Sequence, residues 1–232
     1  MVTQARVKAV FFDLDGTLLD RDASIQQFVA VQYDRLITHP GHISKTDYVT
    51  RFIELDCHGH VWKDRVYQSL VEKFSLKQIS WQSLLEDYET QFRFHCVPFQ
   101  YLLETLSQLK QEGYLLGMIT NGLGQFQSRV IDGLGIRDYF DAILISEIEQ
   151  VRKPQPEIFQ RAIARLGVTA LESVFVGDHP EADMMGAKNA GMKTIWKRNS
   201  NWLQPEADAI IHDLDAIPSI LQQFHDPDGS NA

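Results

Sequence analysis

Six short runs of apolar residues, rich in Val, Ile and Phe, constrain the fold of this chain more than any other feature. Each run is continuous rather than alternating, and each is followed by a small or polar residue. Strands that are buried on both faces of a parallel sheet have this pattern, because helices cover both sides of such a sheet. The runs are residues 7–12, 114–119, 142–145, 173–176, 193–196 and 209–211. They predict the strands of one parallel sheet.

Amphipathic segments lie between these runs. A helix is predicted over residues 99–111, stopping at Gly113, with one apolar stripe made of Leu102, Leu103, Leu106 and Leu109. Three further helices are predicted over residues 156–166, 180–190 and 214–224. Strands that alternate with helices are typical of right-handed crossovers, so the sequence predicts an α/β fold with a doubly wound, Rossmann-like parallel sheet.

One region interrupts this alternation. Residues 23–95 contain apolar residues at helical spacing and no convincing strand. We therefore predict that residues 1–20 and 97–232 form the Rossmann-like catalytic core and that residues 21–96 form an inserted helical cap domain. The insertion follows directly on the first strand, and this position favours a lid over whatever site that strand carries.

Individual residues mark the helices of the insertion. Trp62, Val66 and Leu70 are predicted to share one buried helix face. Ser44 and Ser80 precede two helical stretches and are expected to be N-caps, because a serine side chain accepts a hydrogen bond from the first turn.

Charge and composition exclude several classes of protein. The 232 residues carry 22 Lys and Arg against 31 Asp and Glu, a net charge of −9, so a non-specific nucleic-acid partner is not expected. Two cysteines, Cys57 and Cys96, are too few for a disulfide framework and lack metal-ligand spacing. No stretch approaches the roughly 20 apolar residues of a membrane span. The expectation is a soluble cytoplasmic protein with no membrane partner.

Two acidic residues follow the first predicted strand, in the segment Asp13-Leu14-Asp15-Gly16-Thr17. Ligands of open α/β sheets bind at the carboxyl ends of the strands, which is where Asp13 and Asp15 stand. Two neighbouring carboxylates repel each other unless a cation lies between them, and Mg²⁺ prefers such oxygen ligands. Taken alone, the segment also fits an ordinary polar turn.

Polar residues follow three more of the predicted strands. Thr120-Asn121-Gly122 offers a hydroxyl, an amide and a backbone N–H, which suit a phosphate oxygen, although a plain turn has the same composition. Lys153 precedes a helix, where a lysine is commonly just solvated. Asp178 and Asp183 follow the fourth strand, and acids are common at a helix start. Together these sites converge on one edge of the sheet.

In order and in residue type, these four sites resemble the motifs of the haloacid dehalogenase (HAD) superfamily of phosphohydrolases. The resemblance covers nearly the whole chain, and the helical insertion looks like the type 1 cap of that superfamily. The matching positions are Asp13, Asp15 and Thr17 for the first motif, Thr120 for the second, Lys153 for the third, and Asp178 and Asp183 for the fourth.

The resemblance implies a catalytic mechanism. Asp13 would be the nucleophile that forms an aspartyl-phosphate, and Asp15 would act as general acid and then as general base. Mg²⁺ would be held by Asp13, by the backbone carbonyl of Asp15 and by Asp178, with Asp183 beside them. The phosphoryl oxygens would be bound by four residues: Thr120, Asn121, Gly122 and Lys153. The substrate would be a small phosphate monoester, with nucleotides and sugar phosphates as candidates.

Three alternatives share parts of this pattern. A phosphosugar mutase of the same superfamily would keep both Asp13 and Asp15. A dehalogenase of the superfamily would attack carbon and carry a non-acidic residue in place of Asp15, which speaks against it. A non-enzymatic phospho-receiver module also combines acids, Mg²⁺, Thr and Lys, but it distributes its acids over different strands and lacks an inserted cap.

Overall fold

The computed structural model describes residues 6–37 and 43–225, and these residues form two compact units. One unit is Met1–Asp20 together with Pro98–Ala232, and the other is Arg21–Val97. None of the helices in the described ranges is both long and apolar enough to cross a membrane.

The first unit is built on a six-stranded, wholly parallel sheet. Its strands are β1 (Ala9–Phe12), β2 (Leu115–Thr120), β3 (Ala142–Ile145), β4 (Ser173–Gly177), β5 (Lys193–Lys197) and β6 (Ala209–Ile211). They lie in the order β3-β2-β1-β4-β5-β6. All residues of β1 and β4 are buried, as expected when helices cover both faces. The predicted doubly wound α/β fold is confirmed.

Strand β1 lies at the centre of this sheet, between β2 and β4. Phe12, its last residue, pairs with Met118 on one side and with Val176 on the other. The backbone N–H of Asp13 still donates to the carbonyl of Val176, at 2.9 Å. The three central strands therefore end side by side, and the residues that follow them meet at one edge of the sheet.

Within the described residues, the first unit contains six α-helices, five of them between strands and the last after β6. They are α5 (Leu102–Gln111), α6 (Gly124–Leu134), α7 (Ser146–Glu149), α8 (Pro156–Leu166), α9 (Gly186–Asn189) and α10 (Ile217–His225). Helix α8 matches its prediction, because Pro156 suits the first turn and Gly167 takes the left-handed conformation that ends it. The sequence patterns did not predict α6, which follows a polar turn, or α7, which begins directly after β3. Leu103 of α5, predicted to lie on the apolar stripe of that helix, is 47% exposed. Residues 180–190, predicted as one helix, form a π-helical segment (Pro180–Met185) and then α9.

The second unit is helical, as the spacing of its apolar residues predicts. It contains α1 (Arg21–Leu36), α2 (Lys45–Asp56), α3 (Lys63–Lys73) and α4 (Trp81–Gln91). Ser44 and Ser80 are N-caps, since their hydroxyls accept from the backbone N–H groups of Asp47 and Ser83. Short 3₁₀ turns in the two units cover Cys57–Gly59, Phe92–His95, Arg137–Tyr139, Ala170–Glu172 and Leu214–Ala216.

Aromatic rings fill the interior of the helical unit. Phe28 of α1 packs edge to face on Tyr88 and Phe92, with ring centroids 5.5 and 5.8 Å apart. The prediction that Trp62 belongs to this interior is wrong. Trp62 is 69% exposed, because it precedes the first turn of α3 instead of sharing the buried face of Val66.

A buried ion group joins the ends of three elements of the helical unit. The carboxylate of Asp56, at the end of α2, accepts from the Arg21 guanidinium at 2.8 Å, from the Gly59 backbone N–H at 3.0 Å and from the Lys63 ammonium. Burial by itself raises the pKa of Asp56, but Arg21 and Lys63 outweigh it and hold the pKa below its ordinary value. Asp56 therefore stays charged and fixes where α2 ends.

Replacing Asp56 with Ala is expected to lower the free energy of unfolding by about 3 kcal/mol, because two largely buried cations lose their contact with this buried carboxylate. Urea denaturation of the full chain, followed by circular dichroism, measures this. The matched control is Glu54→Ala on the same helix, which breaks an exposed ion pair with Arg51. It is expected to change the free energy by less than about 1 kcal/mol. Equal losses in the two variants would contradict the structural role of the Asp56 group.

Candidate active site

Asp13 and Lys153 form the centre of the site at the carboxyl edge of the sheet. The Lys153 ammonium donates to Oδ1 of Asp13 at 2.5 Å and to Oδ1 of Asp183 at 2.6 Å. Lys153 is only 3% exposed, so it is not the solvated loop lysine that its sequence position also allowed. The lysine that follows β3 is thus paired with acids that follow β1 and β4.

The two acids after β4 are fixed by different partners. Oδ2 of Asp183 accepts from the backbone N–H groups of Asp178 and His179, at 3.2 and 2.9 Å. Oδ2 of Asp178 accepts from the side-chain amide of Asn199 at 2.7 Å, and its backbone carbonyl accepts from the Trp196 indole at 2.6 Å. Both carboxylates are therefore held in place by the chain itself.

Two glycines allow the acids to come this close to the backbone. Gly16 has φ of +85°, and a Cβ built there would lie 2.3 Å from Oδ2 of Asp178. A Cβ on Gly177 would lie 2.5 Å from Cβ of Asp183. Any larger residue at either position would displace a carboxylate, so both glycines are needed for the shape of the site.

Burial and mutual repulsion shift the pKa values of these groups. Burial raises the pKa of Asp13 well above its ordinary value; Lys153 opposes this shift, and the charges of Asp183 and Asp178 add to it. Burial, with the charge of Asp183, raises the pKa of Asp178 to about 7. Burial alone lowers the pKa of Lys153, but Asp13 and Asp183 outweigh it and raise the pKa, so the lysine is charged. The site thus has too few positive charges for its acids.

These acids fit a metal ion. Carboxylate oxygens of Asp13, Asp178 and Asp183 lie within 4.8 Å of one another, and all three residues are buried. Lys153, together with the charge of the buried Lys197 near Asp178, does not balance three carboxylates, and hard oxygen donors of this kind suit a divalent cation. The Asp15 carboxylate is not part of this group of three. Its backbone carbonyl was the metal ligand that the sequence analysis predicted.

Asp15 and Thr120 share a partner that the sequence analysis did not identify. The Gln127 side-chain amide, on α6, donates to Oδ2 of Asp15 at 2.8 Å and to the Thr120 hydroxyl oxygen at 2.7 Å. Nothing in the sequence marked Gln127, because α6 itself was not predicted. The sequence patterns did not single out Asn199 either. It lies just after β5, so the same rule that marks polar residues after the other strands could have found it.

Asn121 and Gly122, which the sequence predicts as phosphate-binding residues, have hydrogen-bond partners within the chain. The Asn121 side chain forms two hydrogen bonds with the backbone of Lys153. Its Oδ1 accepts from the Lys153 N–H and its Nδ2 donates to the Lys153 carbonyl, each at 3.0 Å. The Gly122 backbone N–H donates to the Ser146 hydroxyl at 3.0 Å. Asn121 thus helps to fix the loop that carries Lys153, and the phosphate contacts of Asn121 and Gly122 stay predictions.

The arrangement has the chemical parts of a phosphoryl-transfer site. It combines a buried carboxylate next to a lysine, a second carboxyl two residues later and a hydroxyl on the neighbouring strand. It also contains a group of acids that fits a divalent cation.

Comparisons with known proteins agree with this chemistry. The Haloacid dehalogenase-like hydrolase family matches residues 10–197. A glyceraldehyde 3-phosphate phosphatase from Pyrococcus furiosus is 29% identical, over 96% of both chains. The crystal structure of an HAD phosphatase from Thermococcus onnurineus is 33% identical, with a TM-score of 0.66, over 93% of this chain and 98% of that one.

A solved dehalogenase is also similar. The 2-haloacid dehalogenase from Pseudomonas syringae pv. Tomato DC3000 is 29% identical, with a TM-score of 0.65, over 94% of this chain and 99% of that one. The chain therefore belongs to the haloacid dehalogenase-like hydrolase family, and its similarity to phosphatases along almost its whole length identifies it as a phosphohydrolase of that family.

Proposed function

We propose that this protein hydrolyses a small phosphate monoester in a Mg²⁺-dependent reaction that passes through an aspartyl-phosphate on Asp13. The observation that carries the proposal is the arrangement at the end of β1. Asp13 is paired with the buried Lys153, while the carboxylate of Asp15, two residues later, accepts a hydrogen bond from the side-chain amide of Gln127. Nucleophile and general acid thus come from one segment but have separate partners.

The first step transfers the phosphoryl group to the protein. A carboxylate oxygen of Asp13 attacks phosphorus and the ester P–O bond breaks, while protonated Asp15 gives its proton to the leaving alkoxide. The Thr120 hydroxyl and the Lys153 ammonium stabilise negative charge on the phosphoryl oxygens. Lys153 is close enough for this role because its ammonium already contacts Asp13.

The second step releases phosphate. Asp15, now a carboxylate, takes a proton from water, and the oxygen of that water attacks phosphorus as the bond to Asp13 breaks. Asp13 is left as a carboxylate and Asp15 is protonated again, so both residues return to their starting states. The sum of the two steps is hydrolysis of one phosphate ester.

The metal would be held by Asp13, Asp178 and the backbone carbonyl of Asp15, with Asp183 orienting the group from beside it. A bound Mg²⁺ would neutralise charge on the phosphate and reduce the repulsion among these acids. Asp183 suits an orienting role because both of its oxygens are already engaged, one by Lys153 and one by backbone N–H groups.

The similarity to a glyceraldehyde 3-phosphate phosphatase favours a phosphorylated small sugar or sugar derivative as substrate. Dehalogenation is a poorer fit, because a halide leaves without a proton and needs no acid at Asp15. The helical unit stays a predicted lid that would choose among substrates. An assay of phosphate release over a panel of sugar phosphates, nucleotides and small phosphorylated acids, with Mg²⁺ and with EDTA, tests the proposal. Release of phosphate also separates hydrolysis from transfer to another sugar.

Asp13→Asn is expected to abolish phosphate release from every substrate of the panel, because the amide is a poor nucleophile. Circular dichroism should show that the variant still folds, since Asn fills nearly the same volume. The matched control is Asp132→Asn, an exposed acid on α6 whose replacement should leave turnover unchanged. Turnover by Asp13→Asn near that of the wild type would contradict the covalent mechanism.

The raised pKa of Asp178 makes the stability of the metal-free protein depend on pH. Folded Asp178, with a pKa of about 7, binds a proton that the unfolded chain has already lost above about pH 4. Its contribution to the free energy of unfolding is therefore lost as the pH rises from about 4 to about 7. In EDTA, the stability of Asp178→Asn relative to wild type is expected to grow over this range, by up to about 1.4 kcal/mol per pH unit.

Added Mg²⁺ should reverse this trend in the wild type, because it binds the deprotonated carboxylates. Thermal unfolding in Mg²⁺ and in EDTA, at pH 5 and at pH 8, measures the effect. Stabilisation of the wild type by Mg²⁺ should be larger at pH 8 and should shrink in Asp178→Asn. If Mg²⁺ stabilises both proteins equally at both pH values, it does not bind at these acids.

A further inference from the structure

We propose that Gln127 is a positioning residue of the reaction, which sets the orientation of both the Asp15 carboxyl and the Thr120 hydroxyl. This inference rests on the proposed phosphohydrolase mechanism. Gln127 lies on α6, outside the segments that the sequence analysis assigned to the site, and it is 2% exposed. It touches no reacting atom in the mechanism, so any effect on catalysis has to pass through Asp15 and Thr120.

The partners of Gln127 determine which way its amide points. Nε2 lies 2.8 Å from Oδ2 of Asp15, 2.7 Å from the Thr120 hydroxyl oxygen and 3.3 Å from the Asn121 backbone carbonyl. Two of these three neighbours, the carboxylate and the carbonyl, are good acceptors that have no hydrogen to donate when Asp15 is ionised. A flipped amide would place its oxygen against both, so the NH₂ group must face them.

The contact with Thr120 orients its hydroxyl proton. Because the Thr120 oxygen accepts from Gln127, its own hydrogen points away from the amide. A hydroxyl held in this way can donate to a phosphoryl oxygen without first breaking another hydrogen bond. Gln127 thereby prepares Thr120 as a donor.

The contact with Asp15 divides the roles of its two oxygens. Oδ2 is committed to Gln127, so we assign Oδ1 to proton transfer with the leaving group and with water. The amide is neutral, so it holds the carboxyl in place without adding a cation near Lys153. A lysine or arginine in its place would pair with Asp15 and oppose its protonation.

Gly122 provides separate support for this role. A Cβ at residue 122 would lie 2.7 Å from Cγ and 2.9 Å from Cδ of Gln127, too close for either atom to stay where it is. The turn after β2 therefore needs a glycine in order to leave room for the Gln127 side chain. Gly122→Ala should displace Gln127 and reproduce the effect of its loss.

The experiment compares substrates that differ in their need for a general acid. A phosphate monoester of an alcohol has a poor leaving group and depends on protonation by Asp15, whereas 4-nitrophenyl phosphate releases a stable anion and does not. The value of kcat/KM reports only the step up to the aspartyl-phosphate, so it isolates Asp15 as an acid. The variant is Gln127→Met, which has similar length and no N–H.

For Gln127→Met, we expect kcat/KM to fall about 100-fold for the alkyl phosphate. For 4-nitrophenyl phosphate we expect a fall of no more than about tenfold. Gly122→Ala should show the same selective loss. Gln125→Met, at an exposed position of the same helix, should leave both values unchanged. If Gln127→Met does not fold, Gln127→Asn replaces it in the experiment. This variant keeps the amide but is one methylene shorter, so a smaller selective loss is expected.

The outcomes separate this inference from the proposed function. Suppose that the Gln127 variants fold and that Asp13→Asn inactivates the enzyme. Equal losses of kcat/KM on the two substrates, or no loss on either, would then overturn the positioning role of Gln127 and leave the proposed mechanism intact. If the wild type releases no phosphate, or if Asp13→Asn remains active, the mechanism itself fails and the role of Gln127 fails with it.

Discussion

The contact of the Lys153 ammonium with the carboxylates of Asp13 and Asp183 is the interaction on which the rest of the site depends. A buried charge without a partner costs several kcal/mol, and three acids lie together at this edge of the sheet. Lys153 compensates for part of that cost, and backbone N–H groups hold the far oxygen of Asp183. The negative charge that remains explains why these acids fit a divalent cation.

Holding Lys153 there requires structure elsewhere, because fixing a lysine side chain costs up to about 2 kcal/mol of conformational entropy. The Asn121 amide, at the end of the neighbouring strand, forms hydrogen bonds with both the N–H and the carbonyl of the Lys153 backbone. Gly16 and Gly177 leave room for the acids on the other side. Some of the polar residues after the strands thus hold others in position, as Asn121 does for the backbone of Lys153.

Asp13 and Asp15 have different partners although they are two residues apart. Asp13, the proposed nucleophile, pairs with the Lys153 ammonium, which favours the charged form of its carboxyl. Asp15, the proposed general acid, accepts a hydrogen bond from the neutral amide of Gln127. This separation suits the two different roles that we propose for the carboxyl groups of one short segment after β1.

The sequence by itself determined the strands, the parallel sheet and the convergence of Asp13, Thr120, Lys153 and Asp178 at one edge, because continuous apolar runs and the residues after them are local signals. It could not decide how those side chains pair. Whether Asn121 faces a ligand or the backbone of Lys153 depends on a loop 32 residues away, and the contact of Gln127 with Asp15 joins residues 112 positions apart. Only the tertiary structure decided these pairings, because hydrogen bonds between distant segments depend on distances that the packing of the sheet and its helices sets.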